Sequence, residues 1–419
     1  MQEFIVPLST TNSSHELVGG KGANLCKLST SGFPVPPGFI ITTNAYRDFI
    51  TKNRLADRIN DFLSHVDPVS PQSLEKASTS IRALFNHYSF PPTLGNKIKS
   101  TYHQIGSCPV AVRSSATTED LPDLSFAGQQ DTYLNIIGDD ALLVAVRNCW
   151  GSLWTARAIG YRFHHHIEQK DLSLAVVVQE MVNSEISGVV FTANPLNGIR
   201  KQTVINATLG LGDALVSGKV DADQYVIDQD SRQILSKSIG TKTISIRSSK
   251  DGGTFTQEES PHPEQTLNDC QILSLTQLCQ EVANLYQEPQ DIEWAIFENK
   301  IYLLQSRPIT SLFPLPQGVS AHPLKVFGSF AAVQGVVNPI TPLGQQTLLL
   351  AFVGGAQSLG YRHTFQNLKA FTVAGERLWS DVTPIIRNSV GQKIAPKILS
   401  FVEPSIRQAV LIIIKDPRL

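Results

Sequence analysis

The stretch PVAVRSSATTEDLPDLSFAGQQDTYLN, residues 109–135, predicts the architecture around which the chain is built. An apolar run at residues 109–112 ends in Arg113, and a small, polar segment follows. A second apolar run begins at residues 132–137. This alternation predicts a strand, a long loop and a second strand.

The loop in this stretch allows two interpretations. It is rich in hydroxyl and amide side chains, and such a loop can offer backbone N–H groups and short donors to phosphate oxygens. Arg113 at its root can pair with a phosphate through two parallel donors. The alternative is a plain hairpin with a long mobile tip, since loops of more than about 12 residues are either functional or disordered.

Bulk composition limits the class of protein. The chain has 419 residues, which predicts two to three domains of roughly 150 residues each. A net charge of −1 gives no overall field for binding nucleic acid or an anionic membrane, and the apolar runs are too short to span a bilayer. The five cysteines form no Cys-x-x-Cys pair and no secretory signal is present, which predicts a cytoplasmic location.

A glycine-rich segment near the N-terminus, VGGKGANL at residues 18–25, also allows two interpretations. Two glycines precede Lys21 at the start of a predicted helix, an arrangement that can cradle a phosphate. The alternative is a flexible turn with a solvated lysine. The segment GFPVPPGF at residues 32–39 then ends the helix, and residues 39–42 predict a strand.

The middle of the chain predicts alternating helices and strands. Two glycine patterns, at residues 210–212 and 212–219, lack the spacing of a Rossmann or P-loop motif and are rejected as such. The predicted elements are helices between residues 44 and 105 broken by prolines, a helix capped by Asp139 or Asp140, strands at 174–178, 188–191 and 203–207, a polar surface insertion at 240–265 and an amphipathic helix at 273–286.

Residues 291–305 predict a hairpin that carries charge on one face. Asp291 and Glu293 are two residues apart and therefore share a face of their strand, as Gln305 and Arg307 do on the partner strand. Two carboxylates and an amide oxygen beside a basic group suit Mg²⁺ held next to phosphates. The alternative is an exposed, solvated hairpin face.

A new pattern begins after a proline-containing polar segment at residues 311–317. A proline-stiffened loop precedes an apolar helix at residues 346–353, residues 371–379 predict a strand, and residues 394–414 predict one or two helices. These roughly 100 residues are long enough for a small domain. Nothing in their pattern demonstrates a closed core.

Several long motifs, in order, resemble the N-terminal nucleotide-binding half of the pyruvate phosphate dikinase and phosphoenolpyruvate synthase family. They are VGGKGANL, GFPVPPGF, VRSSATTEDLPDLSFAGQQDTYLN (112–135), VVVQEMV (176–182), SGVVFTANP (187–195) and DIEWAI with IYLLQSRPIT (291–310). The tail is similar to the start of the substrate domain of rifampicin phosphotransferases, through NPITPLG (338–344) and LWSDVTPIIRNSVGQKI (378–394).

The resemblance implies an α+β fold. Residues 1–310 are expected to form an ATP-grasp-like ATP-binding domain of two to three subdomains. Residues 311–320 are expected to be a linker, and residues 321–419 an incomplete, mainly helical domain of the substrate-binding type.

The resemblance also assigns site residues, with ATP and Mg²⁺ as the expected ligands. Lys21, Arg113, Gly128 and Thr132 are expected on the ATP phosphates. Gln179 and the backbone of Glu180, Met181 and Val182 are expected on the adenine. Glu293 and Gln305 are expected to bind Mg²⁺ and nucleotide, with Arg307 neutralising phosphate and Asp291 as a supporting metal ligand. Asp213 stands where the family usually has Glu.

The implied activity is that of the Mg-ATP-binding module of a dikinase-type phosphotransferase. Such enzymes split ATP to AMP and phosphate and pass a phosphoryl group through a histidine domain to a small-molecule acceptor, such as pyruvate or an antibiotic hydroxyl. None of the ten histidines lies in the Gly-rich Ser-His context of that carrier, so we expect the histidine domain to be absent here. Three alternatives are open: a short gene product, a truncated gene model, or a half-enzyme that uses a histidine domain in trans. The alternative is a nucleotide-binding regulatory or interaction protein without turnover.

Overall fold

The computed structural model describes residues 3–11, 13–117, 120–121, 124–125, 131–164, 167, 172–260, 264–316, 319, 323–329, 339–358, 360, 371–399 and 404–419. The chain divides into two compact units, one ending at Ser311 and the other beginning at Leu312. Both units combine helices with β-sheet, as the sequence predicted. Within the described ranges, no helix combines the length and apolarity that a membrane crossing requires.

The first sheet of the larger unit includes strands from both ends of residues 109–135. Its five strands pair antiparallel in the order β1, β2, β7, β3, β6. They are β1 (Ile5–Pro7), β2 (Gly38–Ile41), β3 (Val110–Ala116), β6 (Thr132–Ile136) and β7 (Leu174–Glu180). The two predicted strands are therefore confirmed, and most of the predicted loop between them lies outside the described residues. The two short strands β4 (Asp120–Leu121) and β5 (Leu124–Ser125) pair with each other between β3 and β6.

One boundary in this stretch was predicted wrongly. The strand does not end at Arg113 but continues to Ala116, still paired with β7. The two serines of this extension are buried because their hydroxyls have partners: Ser114 Oγ donates to the Asp131 carbonyl and Ser115 Oγ to the Val18 carbonyl. A buried hydroxyl that is hydrogen-bonded costs little, so polar residues can prolong a strand.

Six helices cover one face of this sheet. Their apolar side chains form a single core with Phe39, Val110, Val112 and Val176 of the strands. The predicted cap at Asp139 or Asp140 was wrong, because Gly138 precedes the first turn and makes no side-chain cap. The helices are α2 (Thr43–Lys52), α3 (Leu55–Ser64), α4 (Pro71–His87), α5 (Pro92–Gln104), α6 (Asp139–Ser152) and α7 (Ala156–His164).

Helix α1 (His15–Thr30) lies on the opposite face. Val18 and Leu25 pack against Ala175 and Val177 of β7, whereas Leu28 belongs to the core of the second sheet. The helix is interrupted at Gly19, whose φ of 69° and ψ of 174° are not helical. Helix α1 thus contacts both sheets, and Lys21 lies just after its kink.

The second sheet has six antiparallel strands in the order β11, β10, β9, β8, β14, β15. They are β8 (Ile186–Phe191), β9 (Gln202–Leu209), β10 (Asp223–Asp228), β11 (Ile234–Ser238), β14 (Gln290–Phe297) and β15 (Lys300–Pro308). Helix α9 (Asp269–Tyr286) packs on it through Ile272, Leu275, Cys279 and Val282. Between β9 and β10 lies the four-residue helix α8 (Asp213–Val216).

The predicted charged hairpin is confirmed as β14 and β15. Asp291 lies opposite Arg307, and Glu293 lies opposite Gln305. The two residues of the turn, Glu298 and Asn299, have φ of 49° and 58°. The spacing of two therefore places all four polar residues on one face, as alternation in a strand requires.

Residues 240–265 do more than form the predicted surface insertion. They include the hairpin of β12 (Ile244–Ser248) and β13 (Thr254–Glu258). The Asn135 side chain donates to the carbonyls of Ser249 and Gly253, both at 2.7 Å, and so holds the end of this hairpin against the first sheet. The Ile246 carbonyl accepts from the Leu211 N–H at 2.9 Å.

The proline-rich segment after α1 links the two sheets through its carbonyl groups. The Pro34 carbonyl accepts from the Leu303 N–H of β15 at 2.9 Å, and the Pro37 carbonyl accepts from the Glu180 N–H of β7 at 2.8 Å. The Pro36 carbonyl accepts from Gln179 Nε2 at 3.4 Å. Proline has no N–H to satisfy, so a segment of this kind can cross between sheets using acceptors alone.

The smaller unit is built from a three-stranded antiparallel sheet and helices. The predicted single strand at 371–379 is instead a hairpin that turns at Gly375 and Glu376. The predicted apolar helix and the C-terminal helices are present. The elements are β16 (Phe327–Ser329), α10 (Pro342–Ser358), β17 (Phe371–Ala374), β18 (Arg377–Asp381), α11 (Thr383–Arg387), α12 (Ser389–Leu399) and α13 (Pro404–Ile413).

The kink at Gly19 yields a prediction about stability. Gly19→Ala places a Cβ at φ +69° and 2.2 Å from the Ser115 carbonyl oxygen, a backbone atom that cannot turn aside. Gly32→Ala is the matched control, because Gly32 has φ +82° but nothing within 4 Å of its Cβ position. We expect a loss of about 1–2 kcal/mol for Gly32→Ala from conformation alone. Gly19→Ala should lose a further 1–3 kcal/mol or so from overlap.

Urea unfolding of both variants measures this difference. Equal destabilisation of the two would show that close packing against Ser115 does not matter at Gly19.

Candidate functional site

A cleft lies between the two sheets of the larger unit. The strands β3, β6 and β7 provide one wall, and β8, β14, β15 and the segment before α8 provide the other. Its lining residues are Ala111, Arg113, Thr132, Leu134, Gln179, Glu180, Met181, Val182, Ser184, Gly188, Val189, Leu211, Gly212, Asp213, Glu293, Trp294 and Leu304. Apolar side chains gather around Met181 and Leu211, and Arg113 and Glu293 form an ion pair elsewhere in the cleft; the charged residues Glu180 and Asp213 also line it.

The apolar end forms around the end of β7. Met181 packs with Leu134, Leu211 and Ile246 in a small cluster of its own. The N–H groups of Glu180 and Met181 donate to the carbonyls of Pro37 and Pro109. The Val182 N–H donates to neither of these carbonyls. It is therefore the backbone donor at this end that could bind a ligand.

The charged end is organised by Arg113. Its Nη2 donates to Glu293 Oε2 at 2.5 Å, and its Nη1 donates to the Leu304 carbonyl at 3.0 Å. Thr132 pairs with Arg113 across β3 and β6, and its side chain is exposed. A single guanidinium on the first sheet therefore binds both strands of the hairpin on the second.

The Glu293 carboxylate is held in its charged form. Burial by itself raises its pKa, but the Arg113 guanidinium and its hydrogen bond outweigh burial, with smaller contributions from Arg307 and Lys21. The net effect is a pKa below the ordinary value. Glu293 retains 28% side-chain exposure, so an ionised oxygen donor lies at the edge of the cleft.

The other end of the hairpin face holds a second ion pair. Arg307 Nε and Nη2 both donate to Asp291 Oδ2, at 2.9 and 2.8 Å. Burial raises the pKa of Asp291 even though Arg307 favours the charged carboxylate, and Glu293 adds to the rise. Asp291 is thus engaged by Arg307, whereas Glu293 is engaged by Arg113.

Gln305 has a buried side-chain amide. Its side chain is 6% exposed, and among the described residues its Oε1 is a buried acceptor without a hydrogen-bond partner. It lies opposite Glu293 on the partner strand. An unpartnered buried carbonyl oxygen beside a carboxylate indicates a place for a cation, since leaving such an atom unpaired costs about 1–3 kcal/mol.

The predicted site residues are therefore partly gathered in one place. Seven of them line the cleft: Arg113, Thr132, Gln179, Glu180, Met181, Val182 and Glu293. Gln305, Arg307 and Asp291 occupy the adjoining hairpin face, and Lys21 acts electrostatically on Glu293 from α1. Gly128 lies outside the described residues.

Other cleft residues were not predicted from the sequence. Ala111, Leu134 and Val189 are apolar strand residues whose pattern indicates only burial. Asp213, noted only as a departure from the family pattern, lines the cleft and is exposed at the start of α8. Its position after two closely spaced glycines was the one local feature of the sequence that could have indicated a site residue.

The possible metal ligands on the hairpin face are all oxygen atoms. Among the described residues, no group of three or more His, Cys, Asp or Glu side chains could hold a metal ion. The available donors are the carboxylates of Glu293 and Asp291 and the amide oxygen of Gln305. This set fits Mg²⁺, which is usually held by one or two carboxylates together with substrate phosphates, and does not fit a protein-only cage.

Comparison with known proteins now decides the family. The family model for the pyruvate phosphate dikinase AMP/ATP-binding domain matches residues 15–318. The chain belongs to this family. Its residues 15–318 are therefore an AMP/ATP-binding domain, and the cleft lies wholly within them.

Among the relatives that are similar to this chain are proteins with two different names. A probable phosphoenolpyruvate synthase from Archaeoglobus fulgidus is 45% identical over 303 residues, 71% of this chain and 40% of the relative. The rifampicin phosphotransferase of Bacillus subtilis is 38% identical over 403 residues, 95% of this chain and 44% of the relative. The chain thus spans less than half the length of these relatives.

Solved structures also show a weak likeness to this chain. D-alanyl-alanine synthetase A from Vibrio cholerae matches 54% of this chain and 48% of its own chain. At 12% identity and a TM-score of 0.22, this likeness does not define the fold of the domain.

The Arg113–Glu293 pair predicts a pH-dependent stability. Arg113→Ala leaves a partly buried carboxylate without its partner, which should cost about 3 kcal/mol at pH 7, the low end for breaking a buried pair. The folded-state pKa of Glu293 lies below the ordinary value, so the pair stabilises above the unfolded pKa and is lost as pH falls through the folded pKa. The loss caused by Arg113→Ala should therefore shrink under acidic conditions.

Urea unfolding of wild type and variant at pH 7 and pH 4 tests this expectation. The control is Arg113→Ala in a Glu293→Gln background, where no pH dependence from this pair should remain. A loss that is the same at both pH values in the wild-type background would contradict the assignment.

Proposed function

We propose that the cleft binds Mg-ATP as the nucleotide-binding module of a dikinase-type phosphotransferase. The observation that carries this proposal is the polarity of the cleft, with an apolar end at Met181 and a charged end at Arg113 and Glu293. A purine needs apolar walls, and a triphosphate with its metal needs cations beside oxygen donors. We also propose that the two sheets with this cleft between them are an ATP-grasp-like arrangement.

The adenine is proposed to lie at the apolar end. Leu134, Met181 and Leu211 offer flat apolar contact, and the strand end at residues 180–182 offers backbone hydrogen bonds. The Glu180 and Met181 N–H groups already have carbonyl partners, so Val182 is the expected donor on this segment. The Gln179 amide, held by the Pro36 carbonyl, is proposed to face the base.

The phosphates are proposed to lie at the charged end. Lys21, Arg113 and Arg307 supply positive charge, and Thr132 supplies a hydroxyl. Gly128 is also proposed here, on the basis of its motif. Glu293 and Gln305 are proposed to hold Mg²⁺, with Asp291 in support. When bound there, Mg²⁺ would neutralise phosphate charge and so favour phosphoryl transfer.

The full reaction is proposed from the family. ATP and water would be converted to AMP and inorganic phosphate, with the other phosphoryl group passing through a histidine domain to a small-molecule acceptor such as pyruvate or an antibiotic hydroxyl. The phosphoenolpyruvate synthase and rifampicin phosphotransferase relatives support both acceptor classes. The alternative is a regulatory or interaction protein that binds ATP without turnover. Such a protein would form no AMP even when a phosphohistidine domain from a relative is supplied.

Calorimetric titration with ATP tests the nucleotide site. Lys21→Ala should weaken ATP binding by roughly 10- to 100-fold, the value of one hydrogen bond to a charged group. Lys27→Ala is the matched control on the same helix, because its ammonium lies 4.1 Å from the centre of the Tyr286 ring and away from the cleft. Lys27→Ala should change ATP affinity less than twofold.

Equal affinities for wild type and Lys21→Ala would remove Lys21 from the site. No measurable ATP binding by the folded wild-type chain would contradict the proposed function as a whole.

Magnesium dependence tests the hairpin face separately. In wild type, ATP should bind more tightly with Mg²⁺ than with a chelator present. Glu293→Gln should abolish most of that difference, since it removes the ionised oxygen donor. Glu298→Gln, at the exposed turn of the same hairpin, removes an equal charge and should leave the difference intact. A Mg²⁺ effect that survives in Glu293→Gln would place the metal elsewhere.

A further inference from the structure

We infer that Ser115 is a positioning residue for Lys21. Its hydroxyl supplies the helix cap that Gly19 cannot provide, and so fixes where the second part of α1 begins. The inference rests on the proposed role of Lys21 at the ATP phosphates.

The kink in α1 creates a new helix start. Gly19 is not helical, so a second helical segment begins after it, with Lys21 as its second residue and Gly22 as its third. The first N–H groups of a helix have no partner within the helix. A side-chain oxygen on the preceding residue normally accepts from the second or third N–H, which is worth about 1 kcal/mol.

Ser115 performs that function from a different element. Its Oγ accepts from the Gly22 N–H at 3.0 Å and donates to the Val18 carbonyl at 2.8 Å. One hydroxyl thus binds the residue before the kink and the third residue of the new segment. Ser115 is fully buried, so water cannot take over either hydrogen bond.

The geometry requires the cap to come from β3. A Cβ on Gly19 would lie 2.3 Å from Ser115 Oγ, so a capping side chain at this position and the Ser115 hydroxyl exclude each other. Gly19 therefore supplies the backbone conformation, and Ser115 supplies the oxygen. The two roles of one N-cap residue are divided between two elements.

This division links Lys21 to the charged end of the cleft. Ser115 and Arg113 are two residues apart on β3 and share the face that α1 covers. The same rigid strand therefore carries the guanidinium that binds Glu293 and the hydroxyl that fixes the backbone next to Lys21. A shift of the helix start would move the lysine relative to Arg113.

The test compares two ligands. Ser115→Ala should weaken ATP binding about five- to tenfold, the equivalent of one lost cap, and should change adenosine binding less than twofold. Ser115→Cys leaves no cavity but replaces a strong acceptor with a slightly larger, weak one, and should give the same pattern if the alanine variant folds poorly. Ser152→Ala removes another buried hydroxyl, on α6, and should change neither affinity.

A double-mutant cycle separates positioning from general loosening. In a Lys21→Ala background, Ser115→Ala should have no further effect on ATP binding, because its effect acts through the lysine. A further loss in that background, or an unchanged ATP affinity in Ser115→Ala alone, would overturn the inference. Failure of Lys21→Ala itself to weaken ATP binding would instead remove Lys21 from the proposed site, and absence of ATP binding by the wild-type chain would overturn the proposed function.

Discussion

The hydrogen-bonded ion pair between Arg113 and Glu293 joins the two sheets at the charged end of the cleft. Arg113 belongs to the central part of β3, and Glu293 belongs to β14 in the other sheet. The same guanidinium also donates to the Leu304 carbonyl of β15. Arg113 is 11% exposed, and a buried guanidinium is tolerated only when a carboxylate balances its charge. The distance between the two sheets at this end of the cleft therefore depends on this pair.

Two backbone features maintain the same spacing elsewhere. Helix α1 shares its apolar residues between the two sheets, and the following prolines place their carbonyls on β7 and β15. Each of these contacts joins residues far apart in sequence. The cleft is thus a consequence of how the sheets are joined, and no single loop creates it.

The site divides its chemistry between the walls. The first sheet supplies the cation Arg113 and the backbone at residues 180–182, whereas the second supplies oxygen donors on one hairpin face. Each carboxylate of the hairpin face is paired with an arginine: Glu293 with Arg113, and Asp291 with Arg307. The charges on this face are therefore neutralised locally. A ligand with negative oxygens and a divalent cation can replace both ion pairs, because its oxygens can pair with the arginines and its cation with the carboxylates. No charge is then left without a partner.

Local periodicity alone determined a large part of this protein. A spacing of two placed Asp291, Glu293, Gln305 and Arg307 on one hairpin face, because side chains alternate along a strand whatever its surroundings. The resemblance to the family named seven of the seventeen residues that line the cleft. Only the tertiary structure decided that Arg113 lies inside β3, that Asn135 anchors the β12–β13 hairpin and that Ser115 caps α1. Ser115 and Gly22 are 93 positions apart, and a contact at that separation leaves no periodic trace in the sequence.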